Sequence, residues 1–209
     1  MKKIVIVGVG GFGREVAWLI ERINNIKPTW EIIGFVDDNI SLHGKIVGGY
    51  KVIGDTDWLN VQGEQVYAVC AIGAAKTRKK VIQKLDNVKF ATLIDPKVEL
   101  SNRVQIGEGT IICAGSILTV DISIGSHVII NLGCTIGHDA IINDFVTLYP
   151  SVNVSGNTLF QECVEIGTGT QIIQGIKIGE EVIVGAGAVI VKDIIETGTY
   201  VGIPARKIN

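Results

Sequence analysis

The chain is poor in histidine, with three in 209 residues: His43, His127 and His138. So small a stock weighs against any reading that gathers several imidazoles around one metal. There is no excess of one charge either. Nineteen Lys and Arg stand against 21 Asp and Glu, a net charge of −2 with acids and bases mixed, which argues against a nucleic-acid footprint. No apolar run reaches the roughly 18 residues that a membrane-spanning helix needs. The four cysteines, Cys70, Cys113, Cys134 and Cys163, have no C-x-x-C spacing, so they read as buried free thiols in a reducing compartment. The Met-Lys-Lys start is basic, as in a secretory leader, but Gly8, Gly10, Gly11 and Gly13 interrupt the apolar run that should follow. The expectation is a cytoplasmic chain with no membrane span.

What the sequence has in abundance is a period. Every sixth residue from Leu100 is apolar: Leu100, Ile106, Ile112, Leu118, Ile124, Ile130, Ile136 and Ile142, then Leu148, Val154, Phe160, Ile166, Ile172, Ile178, Val184 and Ile190. A helix would drift at 3.6 residues and a simple strand would repeat at two, so this is an internal repeat. A second column, two residues earlier, holds small or β-branched side chains such as Val104, Ser116, Val128, Ala140, Val152 and Val164. Two inward positions with one outward position between them make a short strand. The rest of each hexad, often Gly, Asn or Asp, is bend-forming. A strand and a bend every six residues is a parallel β-helix, and the columns resemble the left-handed, hexapeptide-repeat kind. That resemblance implies three hexads per coil, so residues 18 apart stack about 4.8 Å above one another.

Residues 1–90 lack this period and are expected to form a separate domain ahead of the repeat at 91–209. Ile4-Val5-Ile6-Val7 reads as a strand buried on both faces. Gly8-Val9-Gly10-Gly11-Phe12-Gly13 follows at once and leads into a helical pattern. That is G-x-G-x-x-G in the context where backbone N–H groups at a helix N-terminus can meet a phosphate. A second strand, residues 32–36, ends in Asp37-Asp38, whose carboxylates could hold ribose hydroxyls or a base. Val66 to Ile72 reads as a strand ending at Gly73, and Lys76 to Leu85 as a helix, with Arg78-Lys79-Lys80 as its solvated face. The loop is either a ligand site or a structural turn. The domain has room for about one βαβαβ half, which suits a mononucleotide-type ligand better than NAD.

Of the three histidines, His43 lies in a loop and His127 reads as a surface residue beside an inward position. His138 occupies the second bend position after Ile136, so it projects from a corner, with Asp139 beside it. An imidazole there can take a proton from an incoming amine or hydroxyl, and an adjacent carboxylate can orient the ring. It can also be an ordinary exposed histidine on a turn.

The whole chain resembles the sialic-acid O-acetyltransferase and PglD-type family, hexapeptide acyltransferases with a small N-terminal nucleotide-sugar domain. The residues that carry this are Gly8-Val9-Gly10-Gly11-Phe12-Gly13, Asp37-Asp38, Ala71-Ile72-Gly73, Gly137-His138-Asp139, Ser155-Gly156-Asn157 and Val201-Gly202-Ile203-Pro204-Ala205. The resemblance implies a Rossmann-like α/β domain followed by a left-handed β-helix. It implies that His138 is a general base, that Asp139 raises its basicity and that the Gly156 backbone meets a thioester carbonyl. Gly10, Gly11, Phe12, Asp37, Asp38 and Gly73 would line a nucleotide-sugar site, and Thr147, Thr168 and Ala186 would meet acetyl-CoA, with no metal. Relatives often carry histidine where Phe12 and Thr147 stand here.

The implied reaction is acetyl transfer to the amino group of a nucleotide-linked sugar, with UDP-4-amino-4,6-dideoxy sugars as the leading substrate, in bacterial surface-glycan or glycoprotein sugar biosynthesis. O-acetylation of a sugar hydroxyl is the alternative, and a non-catalytic trimeric nucleotide-binding module a further one. A γ-type carbonic anhydrase would need three zinc histidines from the repeat, which has two. A NAD-dependent oxidoreductase would need a larger cofactor domain. One outward face reads Ile111, Ile129, Thr147, Glu165, Ile183. Such an apolar strip usually has a partner over it, and with the resemblance it points to a homotrimer.

Overall fold

Six strands and three helices account for the first part of the chain in the computed structural model, which describes residues 1–208. Strand β1 (Lys2–Val7) leads into helix α1 (Gly11–Ile26) and strand β2 (Trp30–Val36). Then come β3 (Ile46–Val47), β4 (Tyr50–Gly54), α2 (Thr56–Gln62), β5 (Tyr67–Cys70), α3 (Ala75–Ile82) and β6 (Lys89–Phe90). The sheet order is β3-β4-β2-β1-β5-β6, parallel throughout except for β3 against β4. The chain moves outward from β1 to β2 and β4 on one side, then crosses to β5 on the other. Loops after β1 and β5 therefore part in opposite directions, the arrangement that opens a crevice at the carboxyl ends of a doubly wound sheet. The predicted strand at 66–72 is shorter than expected, because beyond Cys70 the backbone leaves the ladder for a turn.

The repeat forms the left-handed parallel β-helix that the period implied. Each hexad contributes a two-residue strand whose second residue is the inward one, from Leu100 to Ile190. Strands pair in parallel with those 18 residues away: Ile117 with Thr135, Thr135 with Asn153, Asn153 with Gln171. From Leu118 onward both inward columns are buried almost without exception. Leu100 is 38% exposed because no earlier coil covers it. Two polar members of the small column are satisfied inside, Thr110 Oγ1 donating to the Gly125 carbonyl at 2.9 Å and Ser116 Oγ to that of Asn131 at 3.0 Å, whereas the buried Thr158 hydroxyl has no hydrogen-bond partner.

Every corner turns on one left-handed residue. Positive φ recurs every six residues from Gly109 to Gly187, and the residue types include Asp121, His127, Asp139, Phe145, Asn157 and Glu181. For non-glycine residues this conformation costs roughly 1–2 kcal/mol each, so it persists only because the stacked coils on either side dictate it. His127 shows the compensation. It is 5% exposed, not the surface residue expected, and its ring stacks on Phe145 one coil on, with centroids 5.3 Å apart and planes 12° from parallel.

By contacts the described residues divide into two compact units, residues 1–73 with 77–96, and residues 97–208 with 74–76. The strip of Ile111, Ile129 and Thr147 is not open. These residues are 0%, 1% and 0% exposed within the chain, and only Ile183, at 41%, fits the expectation. Apart from Ile183, the exposed large apolar side chains at outward strand positions are Ile117 and Ile141. Among the described residues no helix is long and apolar enough to cross a membrane.

Candidate active site

In the first unit, the crevice at the carboxyl ends of β1, β2, β4 and β5 is a cavity of about 230 Å³. Its walls are Val7, Gly8, Val36, Asp37, Asp38, Thr56, Ile72, Thr77 and Val81. The glycine loop sits where the motif requires it. Gly8 takes φ +96°, and a Cβ on Gly13 would run into the Gly8 carbonyl, so the start of α1 can close onto β1 only with glycine there. Gly10 is the N-cap of α1 and offers no side-chain acceptor, and the first turn holds no acid. The first amides of the helix thus keep their capacity for an anion.

The two acidic residues at the tip of β2 differ in role. Asp37 braces the loops: its Oδ2 accepts from Val9 N at 3.2 Å and its Oδ1 from Asn39 N at 3.0 Å. His43 Nε2 lies 2.8 Å from the Asp37 carbonyl, which can only accept, so that nitrogen carries the hydrogen. Asp38 Oδ1 accepts from Thr56 N at 3.1 Å and Thr56 Oγ1 at 2.9 Å, and Lys84 Nζ stands 3.2 Å from Oδ2. Burial pushes the Asp38 carboxyl up, but the Thr56 hydrogen bonds and Lys84 outweigh it and hold it below its ordinary range. Of the six residues expected at this site, Asp37 and Asp38 line the cavity. Gly10 and Gly73 stand in the loops after β1 and β5 and Gly11 and Phe12 in the first turn of α1, and none of the four is among its walls. Thr56, Ile72, Thr77 and Val81 were missed. Thr77 and Val81 are four apart on α3 and so share a face, a signal the sequence does contain.

In the second unit, His138 and Asp139 form the exposed corner that the repeat predicts. His138 Nδ1 is 2.7 Å from Asp139 Oδ2. An ionised carboxylate only accepts, so the Nδ1 facing it carries a hydrogen, which in the neutral ring leaves the lone pair on Nε2. Gly156 lies directly against the ring: a Cβ added there would be 2.5 Å from Nε2 and 2.6 Å from Cε1. Only glycine leaves space for the imidazole in this position. The Asn157 amide donates to the His138 carbonyl at 2.7 Å and the Gly156 carbonyl accepts from Gly175 N at 3.1 Å, which locks three coils together at the corner. The Gly156 N–H itself donates to no group among the described residues. Thr168 and Ala186 are exposed at later corners, whereas Thr147 is fully buried mid-strand and presents no surface to a ligand.

Two further expectations need revision or refinement. Arg78 is not on a solvated helix face: it is 1% exposed, while Lys80 is open to solvent. All four thiols are buried. Burial pushes Cys70 up to about 12, with the Arg78 charge pulling weakly the other way, and pushes Cys134 up to about 11. Cys134 also faces into the coil, its Sγ 3.3 Å from the Tyr149 carbonyl. Among the described residues no group of three or more His, Cys, Asp or Glu is arranged to hold a metal ion. His127 and His138 belong to different corner columns and cannot meet.

A repeat coil that carries a histidine–carboxylate pair against a glycine at one corner defines a hexapeptide acyltransferase. Residues 3–85 match the family model for the PglD N-terminal domain. Over 99% of its length the chain superposes on 99% of the acetyltransferase domain of PglB from Neisseria gonorrhoeae FA1090, solved in complex with acetyl coenzyme A, with TM-score 0.91 and 33% identity. WeeI from Acinetobacter baumannii AYE matches over the whole of both chains at TM-score 0.89 and 31% identity. PerB from Caulobacter crescentus, solved with CoA and GDP-perosamine, matches all of this chain and 98% of its own at TM-score 0.86 and 29% identity. Among curated sequences, the serine acetyltransferase of Synechococcus elongatus is 36% identical over 86 residues, 37% of this chain and 35% of that relative. The chain therefore spans about a third of that relative's length. The chain belongs to the PglD-type hexapeptide sugar acetyltransferases.

Proposed function

We propose that this chain transfers the acetyl group of acetyl-CoA to the amino group of a nucleotide-linked amino sugar, with His138 as general base. The observation that carries the reading is the His138 corner: Nδ1–H directed at Asp139, and Nε2 free beside the one residue type that lets it sit there. The amine nitrogen attacks the thioester carbonyl and Nε2 takes its proton as the C–N bond forms. The Gly156 N–H, which is otherwise unpartnered, donates to the oxyanion. The C–S bond then breaks, and the imidazolium returns the proton to the departing thiolate as free CoA. Thr168 and Ala186 are assigned to the acetyl-CoA path. Thr147 is left out of it because it is buried.

The crevice of the first unit takes the nucleotide, with apolar Ile72 and Val81 against a base and the ionised Asp38 as acceptor. We assign a UDP-linked 4-amino-4,6-dideoxy sugar as acceptor, and the GDP-sugar complex of PerB makes a guanosine substrate the competitor to test. The assembly proposed is a homotrimer, for which exposed Ile117 and Ile141 on the faces flanking the corner are the best candidates for contact. The test is release of CoA thiol from acetyl-CoA with a panel of UDP-, GDP- and CMP-linked amino and hydroxy sugars. Turnover confined to an amino sugar supports the reading. Turnover of hydroxyl acceptors alone, or thiol release by no acceptor, overturns it.

A further inference from the structure

Arg78 is the largest fully buried side chain of the described molecule. A guanidinium is rarely placed so deep, because its charge resists leaving water unless its donors are all used. Here Nη1 donates to two successive carbonyls, Ile72 O at 2.6 Å and Gly73 O at 2.9 Å. Those carbonyls lie just past the end of β5, where the sheet ladder no longer supplies partners and backbone acceptors must find others. From this we infer that Arg78 is a positioning residue of the nucleotide crevice, holding the Ile72–Gly73 turn as one of its walls.

The residues around the turn explain why its position matters. Ile72 lines the cavity, and its Cγ1 sits 3.1 Å from where a Cβ of Gly8 would be, so the turn also packs on the start of the glycine loop. Helix α3 contributes the adjacent wall through Thr77 and Val81. Arg78, between them in sequence, reaches back to the turn and so fastens the turn wall to the helix wall. A lysine would keep the charge, but it ends one bond short of Nη1 in a compact, strongly hydrated ammonium, so its nitrogen would leave the place from which Nη1 serves both carbonyls. The inference rests on the crevice being the nucleotide site, and it assigns no contact between Arg78 and the ligand.

The experiment titrates wild-type protein and Arg78→Lys with UDP and with GDP by calorimetry, alongside acetyl-CoA, with melting temperatures recorded for both. Wild type should bind at least one of the two nucleotides. The lysine variant should bind that nucleotide at least tenfold more weakly, with acetyl-CoA affinity within twofold of wild type. A role confined to holding the fold would lower the melting temperature and leave affinity for nucleotide unchanged at temperatures where both proteins are folded, and that result overturns the inference. Equal loss of nucleotide and acetyl-CoA affinity overturns it too. Should the lysine variant not fold, Arg78→Gln, a shorter and uncharged amide, is judged by the same criteria. A wild-type protein that binds neither nucleotide defeats the functional reading itself, and this inference with it.

Discussion

The two units place their working residues by different means. In the β-helix, position is arithmetic: a residue's place in its hexad fixes its face, and its neighbours are 18 residues away on either side. His138 meets Gly156 because the coils are regular, and nothing local has to arrange it. In the α/β unit the pocket residues come from several loops and from helix α3, held by separate hydrogen bonds: Asp37 to Val9 and Asn39, Asp38 to Thr56, Arg78 to Ile72 and Gly73. A site built on a repeat depends on one chain-wide register. A site built on loops depends on several independent braces, any of which can fail alone.

That contrast can be broken at several points. The largest effect should come from His138→Ala, which removes a positioned base. Turnover is expected to fall about 10²–10⁴-fold, while circular dichroism and nucleotide affinity stay as in wild type. A near-wild-type rate would reject the base assignment. Truncation inside the coil should act on the whole β-helix at once: Phe160 is fully buried, and Phe160→Ala should cost about 3–5 kcal/mol in denaturant unfolding. A loss below about 1 kcal/mol would mean that the coils do not melt together.

Gly156→Ala puts a methyl where the imidazole lies, and displacement of the ring by about 1 Å should lower kcat about 10²-fold. Binding of UDP or GDP should be untouched, since the α/β unit is not involved. If kcat is unchanged, the ring does not work from this position.

In the loop-built unit the expected effects are smaller and local. Asp38 has its folded-state pKa depressed, so its contribution to stability is complete above its unfolded value near 3.8 and is lost as pH falls through the lower folded value. Thr56→Val removes the hydroxyl donor and should raise that folded pKa, moving the acid-unfolding midpoint of this unit upward. A midpoint that stays where it was would show that the Thr56 hydroxyl contributes nothing measurable. Smallest of all, Cys134→Ala should leave turnover within about twofold, and iodoacetamide at pH 8 should spare Cys134 in the folded protein. Burial pushes its thiol up to about 11, and the reactive thiolate is scarce far below that.

How much was legible follows the same division. The columns from Leu100 to Ile190 predicted the coil, and the stacking of His138 under Gly156 followed from an 18-residue count. Position within a repeat gives the face a side chain takes, not how deeply that face is buried. Ile111, Ile129 and Thr147 were therefore read as open when they are covered, and His127 was read as exposed when it stacks on Phe145. In the α/β unit, the glycine loop and the acidic strand tip were visible because they are motifs with fixed spacing. Thr56 and Arg78 were not, because their meaning lies in which turn the chain folds back against. Arg78 in particular sits in a run of three basic residues, where side-chain type alone suggests solvent.

The left-handed residue at every sixth position carries a consequence for how this molecule can vary. Adding or removing eighteen residues between corners lengthens or shortens the spindle by one storey and returns each later side chain to the same edge. Adding a single residue turns everything downstream out of phase, so that an insertion anywhere between Asp139 and Ser155 would carry Gly156 away from the imidazole. Tolerated changes of length in this half of the protein should therefore come in whole turns, or bulge outward as loops that leave the count intact.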